Sequence, residues 1–192
     1  MLIDETILQG CIEGKRNAQY QLYRKFASTM LGVCLRYSQS RQEAEDILQE
    51  GFLKVFQNIA TFRKEGSLEG WVKRIMINHA LNRYRKNRKQ PFYEDIEEIN
   101  EIEIIETIEE QTINESYPTE LLLSMIQLLP QGYRVVFNMY VFEDFSHKDI
   151  AETLNISENT SKTQLMKARR VLRKKLEEYK QKQHLAFANG KQ

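Results

Sequence analysis

Hydrophobic residues recur every three or four positions along most of this chain, the spacing of one face of an α-helix. The spacing predicts helical structure over residues 2–37. A second helix is predicted over 40–59, because Ser40 and Glu43 stand at the two positions of a capping box. The polar stretch TFRKEGSLEG follows as a loop. Apolar spacing then returns over 68–89 and predicts another helix.

The last third of the chain shows the same pattern with clear helix boundaries. Pro118 and Thr119 mark the start of a helix that Pro130 ends, and QGYRVVFNMYVF is predicted to form the next helix. Two more helices follow. The alternating pattern typical of strands is absent from the sequence, so we expect an all-α protein.

The stretch FSHKDIAETLNISENTSKTQLMKARRVLRKKL predicts a short helix, a tight turn and a longer basic helix. Ser146 and Asp149 form a capping box for the short helix, Asn155 suits the turn, and Ser157 can cap the longer helix. This is the arrangement of a helix-turn-helix, whose second helix enters the major groove of DNA.

The longer helix has two faces of different chemistry. At 100° per residue one side is apolar or small and must face the core; it contains Ser161, Leu165, Ala168, Leu172 and Leu176. The other side contains Asn159, Thr163, Lys167, Arg170 and Lys174, flanked by Lys162 and Arg173. Such cations neutralise phosphates, and Asn and Thr can read bases. A solvated basic face is the alternative, but the turn spacing and the two caps favour DNA recognition.

Charge divides the chain into three parts. Residues 1–89 hold 16 Lys and Arg against 9 Asp and Glu, and residues 121–192 hold 12 against 7. Residues 90–120 carry eleven carboxylates and no Lys or Arg. We therefore predict two small helical domains, 1–89 and 118–180, joined by an acidic linker, 90–117, and followed by a tail, 181–192. Each domain would be near the lower size limit for a self-sufficient core.

The predicted 40–59 helix has an unusual solvent face. Its core stripe would be Ala44, Ile47, Leu48, Gly51, Phe52 and Val55. Opposite that stripe lie Glu43, Asp46 and Glu50, with Gln49, Leu53 and Gln57 beside them. A protein partner with a basic surface would explain both the unpaired carboxylates and the exposed leucine, although an ordinary solvated face remains open.

The predicted 68–89 helix is basic and mixes Arg with Asn, a mixture typical of nucleic-acid contacts. Its outward residues are predicted to be Arg74, Asn78, Leu81, Arg85 and Arg88, flanked by Lys73, Asn82 and Lys86. Phe56, Phe62, Trp71 and Tyr84 lie nearby and could stack on unpaired bases. Packing is the better interpretation of Phe56 and Trp71, whereas Phe62 is open to either. His79 faces inward, as a core histidine.

The remaining sequence points away from catalysis. Cys11 and Cys34 lie on helical stretches without a CxxC motif, so we expect buried thiols. We find no phosphate loop or nucleophile elbow, and expect neither enzymatic activity nor a cofactor or metal. No apolar run reaches the length of a membrane helix, and the N-terminus lacks a signal pattern. We expect a cytoplasmic protein.

Three segments in order resemble one known family. AEDILQEGFLKVF, GWVKRIMINHALNRYRK and LPQGYRVVFNMYVFEDFSHKDIAETLNISENTSKTQLMKARRVLRKKL are similar to regions 2 and 4 of bacterial sigma factors of the sigma-70 family, in the small extracytoplasmic-function group. The resemblance covers residues 17–176. It implies a non-enzymatic subunit that brings RNA polymerase to promoters and starts DNA melting.

The resemblance also implies roles for individual residues. Positions that dock on the β′ clamp helices of the polymerase correspond to Asp46, Gln49 and Glu50, with Glu43 and Leu53 on the same face. The part that opens the minus-ten element and holds a flipped base corresponds to Phe62, Arg63, Trp71, Lys73, Arg74, Asn78 and Arg85, with Asn78 as the base contact. The minus-35 element would be read by Asn159, Thr160, Lys162, Thr163, Lys167 and Arg170.

The sequence departs from the family pattern at two positions of the minus-35 helix. Ser161 stands where family members usually have Val, and Gln164 where they have Arg. The first change is expected to soften a packing contact. The second leaves the minus-35 sequence preference undefined.

The partners implied by the resemblance are the polymerase core with its β′ and β subunits, promoter DNA and an anti-sigma factor. The acidic linker would thread the basic RNA path of the polymerase as an RNA mimic, or would screen the basic helices in the free protein. Two other interpretations remain: a helix-turn-helix regulator that binds DNA as a dimer without being a polymerase subunit, and an interaction protein whose acidic segments serve assembly alone.

Overall fold

The structure is a computed structural model that describes residues 5–87 and 117–189. This part of the chain contains eight α-helices and no strand, which confirms the all-α prediction. A short 3₁₀ turn, Ile59–Thr61, follows the third helix. The helices are α1 Glu5–Ile12, α2 Arg16–Tyr37, α3 Arg41–Asn58, α4 Leu68–Asn87, α5 Thr119–Gln127, α6 Gln131–Val141, α7 His147–Leu154 and α8 Glu158–Asn189.

The helical stretch predicted over residues 2–37 is divided by a tight turn. Gly14 has a φ of +73°, a conformation that favours glycine, and the Lys15 amide donates to the carbonyl of Gly10 at 2.9 Å. The turn folds α1 back onto α2. At the start of α3, Ser40 caps as predicted by accepting from the Glu43 amide at 3.2 Å. The Glu43 carboxylate, however, accepts from the Gln39 amide at 2.7 Å and not from Ser40.

The core of the first half forms where α2, α3 and α4 meet. All six residues of the predicted α3 stripe are buried. Gly51 permits the closest approach, because a Cβ atom there would lie 2.2 Å from the Met76 sulfur of α4. A side chain at this position would force the Met76 side chain out of its place between α3 and α4.

One orientation predicted for α4 is wrong. Leu81 was expected to face outward, but only 2% of it is exposed, and Tyr84 is also buried. The helix packs on α2 and α3 at once, so its buried face is wider than a single helical stripe. Arg74, Asn78 and Arg85 are exposed as predicted. Arg88 lies outside the described residues.

The second half is built around α8, which packs on α6 and α7. The capping box of Ser146 and Asp149 is present with both of its hydrogen bonds. Asn155 ends α7 with a φ of +53°, and Ser157 Oγ accepts from the Thr160 amide at 3.0 Å. The helix-turn-helix geometry predicted from these caps is therefore formed. Helix α8 continues past the motif into the predicted tail, as far as Asn189.

The two halves share one continuous hydrophobic core. Helix α2 contacts both α5 and α6, and buried residues such as Val136 and Met139 of the second half belong to the same cluster as those of the first. Because small helical units bury a limited fraction of their surface, joining two of them adds to the stability of both. The acidic linker connecting them lies outside the described residues except for Tyr117.

Candidate nucleic-acid interface

The basic face of α8 is largely open to solvent between Asn159 and Lys174. Asn159, Lys162, Thr163 and Arg170 are exposed, as the helical periodicity predicted. Lys167 is half-buried, with its Nζ 5.9 Å from the centroid of the Tyr133 ring. These side chains form one surface on the second helix of the helix-turn-helix. Its charge suits a phosphate backbone, and its polar groups suit base edges.

Thr160 has a different environment from the other predicted minus-35 residues. It is half-buried, and its Oγ1 lies 2.8 Å from Ser157 Oγ at the start of α8. The hydroxyl therefore takes part in the cap. A base contact by Thr160 would compete with this hydrogen bond.

The two departures from the family pattern are both buried. Ser161 Oγ lies 2.9 Å from His147 Nδ1, which ties α8 to α7. Gln164 is 1% exposed, and neither atom of its amide has a hydrogen-bond partner among the described residues. Gln164 consequently faces the core and not the groove-reading surface. Its side chain is part of the packing between the helices.

A stacked cluster beside the helix-turn-helix was missed by the sequence reasoning. The rings of Tyr140 and His147 stack with centroids 4.7 Å apart, and the Arg169 guanidinium lies 5.8 Å from the Tyr140 centroid. Burial, together with the nearby Lys162 charge, lowers the pKa of His147. No sequence motif marks this cluster, because its members come from α6, α7 and α8.

The basic face of α4 carries the second group of predicted DNA contacts. Arg74 and Asn78 are exposed, and Arg63 is exposed in the preceding loop. The rings of Phe62 and Trp71 lie 5.6 Å apart and are half-buried. Phe56 packs on Phe52 with a centroid distance of 6.0 Å, as expected for a core aromatic. Phe62 and Trp71 therefore keep some exposed ring surface on which a base could stack. Tyr84 does not, because it is buried.

A cavity of about 360 Å³ lies beside the loop before α4. Its lining includes Phe26, Phe62, Lys64 and Ser67. Its size falls within the range of roughly 300 to 1,000 Å³ that is common for small-molecule pockets. Lys64 pairs with Glu5 of α1, which holds the loop against the first helix. Ser67 accepts from the Gly70 amide at 3.0 Å and so caps α4.

The solvent face of α3 is acidic with one apolar residue at its centre. Gln49 and Glu50 are exposed, Asp46 and Glu43 are half-buried, and Leu53 is 62% exposed. A single exposed leucine is by itself common on protein surfaces, and the carboxylates around it give this face its acidic character. Glu50 differs from the others, because its carboxylate contacts α4.

Glu50 pairs with two residues that the sequence did not assign to it. Its Oε2 lies 2.7 Å from His79 Nε2, and its Oε1 accepts from Arg83 NH1 at 3.0 Å. Slight burial opposes ionisation of Glu50, but the hydrogen bond from His79 and the Arg83 charge outweigh it and lower the pKa of the carboxyl. Burial lowers the pKa of His79 despite its acidic neighbour. The acidic face of α3 is thereby joined to the basic helix α4.

Two of the predicted minus-ten residues already have partners in the second half of the chain. Lys73 Nζ lies 2.7 Å from the Glu143 carboxylate, and Arg85 NH1 lies 3.4 Å from the carbonyl of Thr153. Arg85 also bonds to Asn82 within α4. In this arrangement the second half engages both cations, Lys73 through an ion pair and Arg85 through one long hydrogen bond that leaves its guanidinium exposed. Lys73 and Arg85 thus differ from the other predicted minus-ten residues in contacting the second half of the chain. Exposed residues of that set are Arg63, Arg74 and Asn78.

Other chemistry is sparse in residues 5–87 and 117–189. Cys11 and Cys34 are buried free thiols as predicted, and burial raises the pKa of Cys34 to about 12. Within these ranges no group of three His, Cys, Asp or Glu side chains is placed to hold a metal ion. None of the helices described there is both long and apolar enough to span a membrane.

Two family models match this chain, one in each half. Sigma-70 region 2 matches residues 22–90, which include the acidic α3 and the basic α4. Sigma-70, region 4 matches residues 119–172, which include the helix-turn-helix. The two matches together span well over half of the chain.

Known sigma factors are similar to this chain over nearly their full length. The extracytoplasmic-function sigma factor SigW of Bacillus subtilis is 29% identical over 92% of this chain and 97% of its own. The sigma-E factor of Haemophilus influenzae is 25% identical over 92% of this chain and 96% of its own. A solved structure of CnrH with the cytosolic domain of CnrY aligns with a TM-score of 0.46 and 16% identity, over 91% of this chain and 97% of that chain. The chain therefore belongs to the sigma-70 family, in its extracytoplasmic-function group, whose members take part in promoter-specific initiation of transcription by RNA polymerase.

Proposed function

We propose that this protein acts in the cytoplasm as a non-catalytic polymerase subunit that selects promoters and starts their melting. The observation that carries the proposal is the arrangement of three charged faces on three helices: acidic on α3, basic on α4 and basic on α8. One acidic face for a protein and two basic faces for DNA match the needs of a subunit that binds both at once.

The α3 face is proposed to dock on the β′ clamp of the core enzyme. Asp46, Gln49 and Leu53 supply carboxylate, amide and apolar contacts to a basic helical surface, and Glu43 and Glu50 flank them. Leu53 would be the buried centre of this interface, and the charges would form its rim. The charges would steer the encounter, and the leucine would slow dissociation.

The α4 face is proposed to hold the minus-ten element. Arg63 and Arg74 would contact phosphates, Asn78 would contact a base, and Phe62 with Trp71 would present aromatic surface to an unstacked base. Capture of unpaired bases stabilises the melted state, so the subunit would open DNA by binding energy alone. Lys73 and Arg85 would join this face only after leaving their partners in the second half.

The α8 face is proposed to read the minus-35 element in the major groove. Lys162, Thr163 and Lys167 lie at its centre, with Asn159, Thr160 and Arg170 around them. Gln164 does not contribute, because it is buried. Sequence preference at this element would then come from Asn159 and Thr163, with the cations setting affinity.

The remaining proposed partners rest on family membership. An anti-sigma factor would hold the free protein inactive, and the β subunit would complete the polymerase interface. The linker, proposed as an RNA mimic in the polymerase channel, lies outside the described residues. Its carboxylates have the charge that a basic nucleic-acid path would attract.

Transcription with purified components tests the proposal. Core polymerase and this protein are mixed with a fragmented genomic DNA library, and the transcripts are sequenced. We expect transcripts with defined start sites that share two upstream elements. Core polymerase without the protein is the control. No specific transcript from any fragment would contradict the proposal, and tight binding of the protein to palindromic DNA without polymerase would favour a dimeric helix-turn-helix regulator.

A further inference from the structure

Glu143 lies between the two halves of the protein, just after α6, and holds one cation from each of two helices of the first half. Its Oε1 accepts from Arg36 NH2 of α2 at 2.9 Å, and its Oε2 lies 2.7 Å from Lys73 Nζ of α4. Only 5% of the Glu143 side chain is exposed. Because the carboxylate is nearly buried, loss of its cations would leave a buried charge without a partner, which is strongly destabilising.

Further contacts surround this carboxylate at the end of α2. The Arg36 guanidinium lies 4.3 Å from the centroid of the Phe142 ring. Asn138 Nδ2 donates to the Arg36 carbonyl at 2.6 Å, and Gln127 Nε2 donates to the Leu35 carbonyl at 3.1 Å. Carbonyls in the last turn of a helix lack partners within the helix. Side chains of α5 and α6 therefore cap the C-terminal end of α2.

The same arrangement engages both ends of the basic α4 surface. Lys73 near its start pairs with Glu143, and Arg85 near its end donates to the Thr153 carbonyl in the helix-turn-helix at 3.4 Å. Both cations belong to the set proposed for the minus-ten element. The contacts that join the halves thus occupy groups that promoter DNA would need.

This closed arrangement is incompatible with binding both promoter elements at once. Elements centred near positions −35 and −10 are separated by about 25 base pairs, roughly 85 Å at about 3.4 Å per base pair. In the structure, α4 and the helix-turn-helix half are in direct contact at Lys73 and Glu143. The halves must separate before each can reach its element.

The contact between the halves also contains polar atoms that lower its stability. Buried atoms without a hydrogen-bond partner in the described residues are Arg36 Nε, Tyr37 Oη, Asn138 Oδ1, and Nε and NH2 of Arg134. The Tyr37 hydroxyl lies in the field of Glu143, and Arg134 lies in the field of Glu43, which places both at the junction. Because unpaired buried polar groups are costly, these atoms offset part of the stability that the shared hydrophobic core gives to the closed contact.

We propose that Glu143 is an electrostatic latch that keeps the free protein closed by pairing with Arg36 and Lys73. Opening would release Lys73 and Arg85 together and allow the halves to separate. The functional meaning of the latch rests on the proposed role of α4, but the closed state itself does not. The experiment therefore measures shape and DNA binding separately.

The first measurement is the radius of gyration by small-angle X-ray scattering of the full chain without DNA or polymerase. Glu143→Gln keeps the size of the side chain and removes its charge, and Arg36→Gln removes the partner on α2. Both are expected to raise the radius by several ångströms at moderate salt. Asp144→Asn is the matched control, because it makes the same charge change at the neighbouring exposed residue.

The second measurement is the affinity for a single-stranded oligonucleotide of mixed sequence, again without polymerase. Glu143→Gln is expected to bind about tenfold tighter than wild type, and Asp144→Asn about as well as wild type. Circular dichroism checks that each variant is folded. An unchanged radius of gyration in both Glu143→Gln and Arg36→Gln would overturn the latch. An increased radius without tighter DNA binding would support the latch and contradict the proposed role of α4.

Discussion

Glu50 Oε2 lies 2.7 Å from His79 Nε2, so a residue proposed to bind the polymerase is joined to the helix proposed to bind DNA. His79 Nδ1 is buried and has no hydrogen-bond partner in the described part of the chain. A proton on that atom would be an unpaired buried donor, which is costly. The neutral imidazole with its proton on Nε2, donated to Glu50, avoids that unpaired donor and agrees with the lowered pKa of His79.

This pair predicts a pH dependence of stability. Because folding lowers the pKa of His79, the unfolded state binds more protons between that pKa and the ordinary value near 6.5. Stability is therefore fully present above about pH 6.5 and decreases as the pH falls. Urea unfolding from pH 7.5 to 5 should show this decrease, and His79→Gln should reduce it. His147 contributes in the same direction, and near pH 5 the lowered pKa of Glu50 begins to add to the decrease. An NMR titration placing the pKa of His79 above 6.5 would contradict the prediction.

The polymerase interface is tested best at residues that, among the described ones, have no hydrogen bond or ion pair with α4. Leu53→Asp and Asp46→Lys should each weaken binding to core polymerase at least about tenfold, or ~1.4 kcal/mol, in a fluorescence competition assay. Glu50→Lys is a weaker test, because it would also leave His79 and Arg83 without their carboxylate. Glu177→Lys on α8 is the matched control for Asp46→Lys, since it makes the same charge change at an exposed site. Equal binding by all variants would show that the α3 face is not the docking surface.

Arg74 and Asn78 should differ in how they affect minus-ten binding. Asn78→Ala is expected to reduce discrimination between promoter sequences by about 1–3 kcal/mol at one base, with little change in salt dependence. Arg74→Ala should weaken binding equally for all sequences and reduce the slope of affinity against salt concentration. Both side chains are exposed, so neither change should lower stability by more than about 0.5 kcal/mol. The measurement is fluorescence anisotropy of the holoenzyme on single-base variants of a selected promoter. A uniform loss for Asn78→Ala would remove its assignment as the base contact.

Gln164 should limit the stability of the helix-turn-helix. Its amide is buried without partners among residues 5–87 and 117–189, so Gln164→Met, which keeps the length of the side chain, is expected to stabilise the protein by about 1 kcal/mol. For a chain of this size the melting temperature would rise by roughly 2–4 °C. Minus-35 binding should stay unchanged, because the side chain does not reach the DNA-facing surface. Thr163→Ala, at an exposed neighbour, should show the reverse: unchanged stability and weaker binding.

Local sequence signals predicted the elements that depend on neighbouring residues alone. The stripe on α3, the caps at Ser40, Ser146 and Ser157, and the turn at Asn155 follow from helical periodicity and from short-range hydrogen bonds. The exposed faces of α3 and α8 follow from the same periodicity. The three quoted motifs carry the family assignment, because they occur in order over most of the chain.

Tertiary packing decided what local periodicity could not. Leu81 is buried because α4 has neighbours on two sides, and Gln164 is buried because α8 packs on α6 and α7. The pairing of Glu143 with Arg36 and Lys73 joins residues about 70 and 107 positions apart, which no spacing rule relates. The sequence by itself determined which helices form and which faces carry charge. Only the folded structure decided which of those charges meet, because ion pairs and burial depend on distances between elements that a helical pattern does not contain.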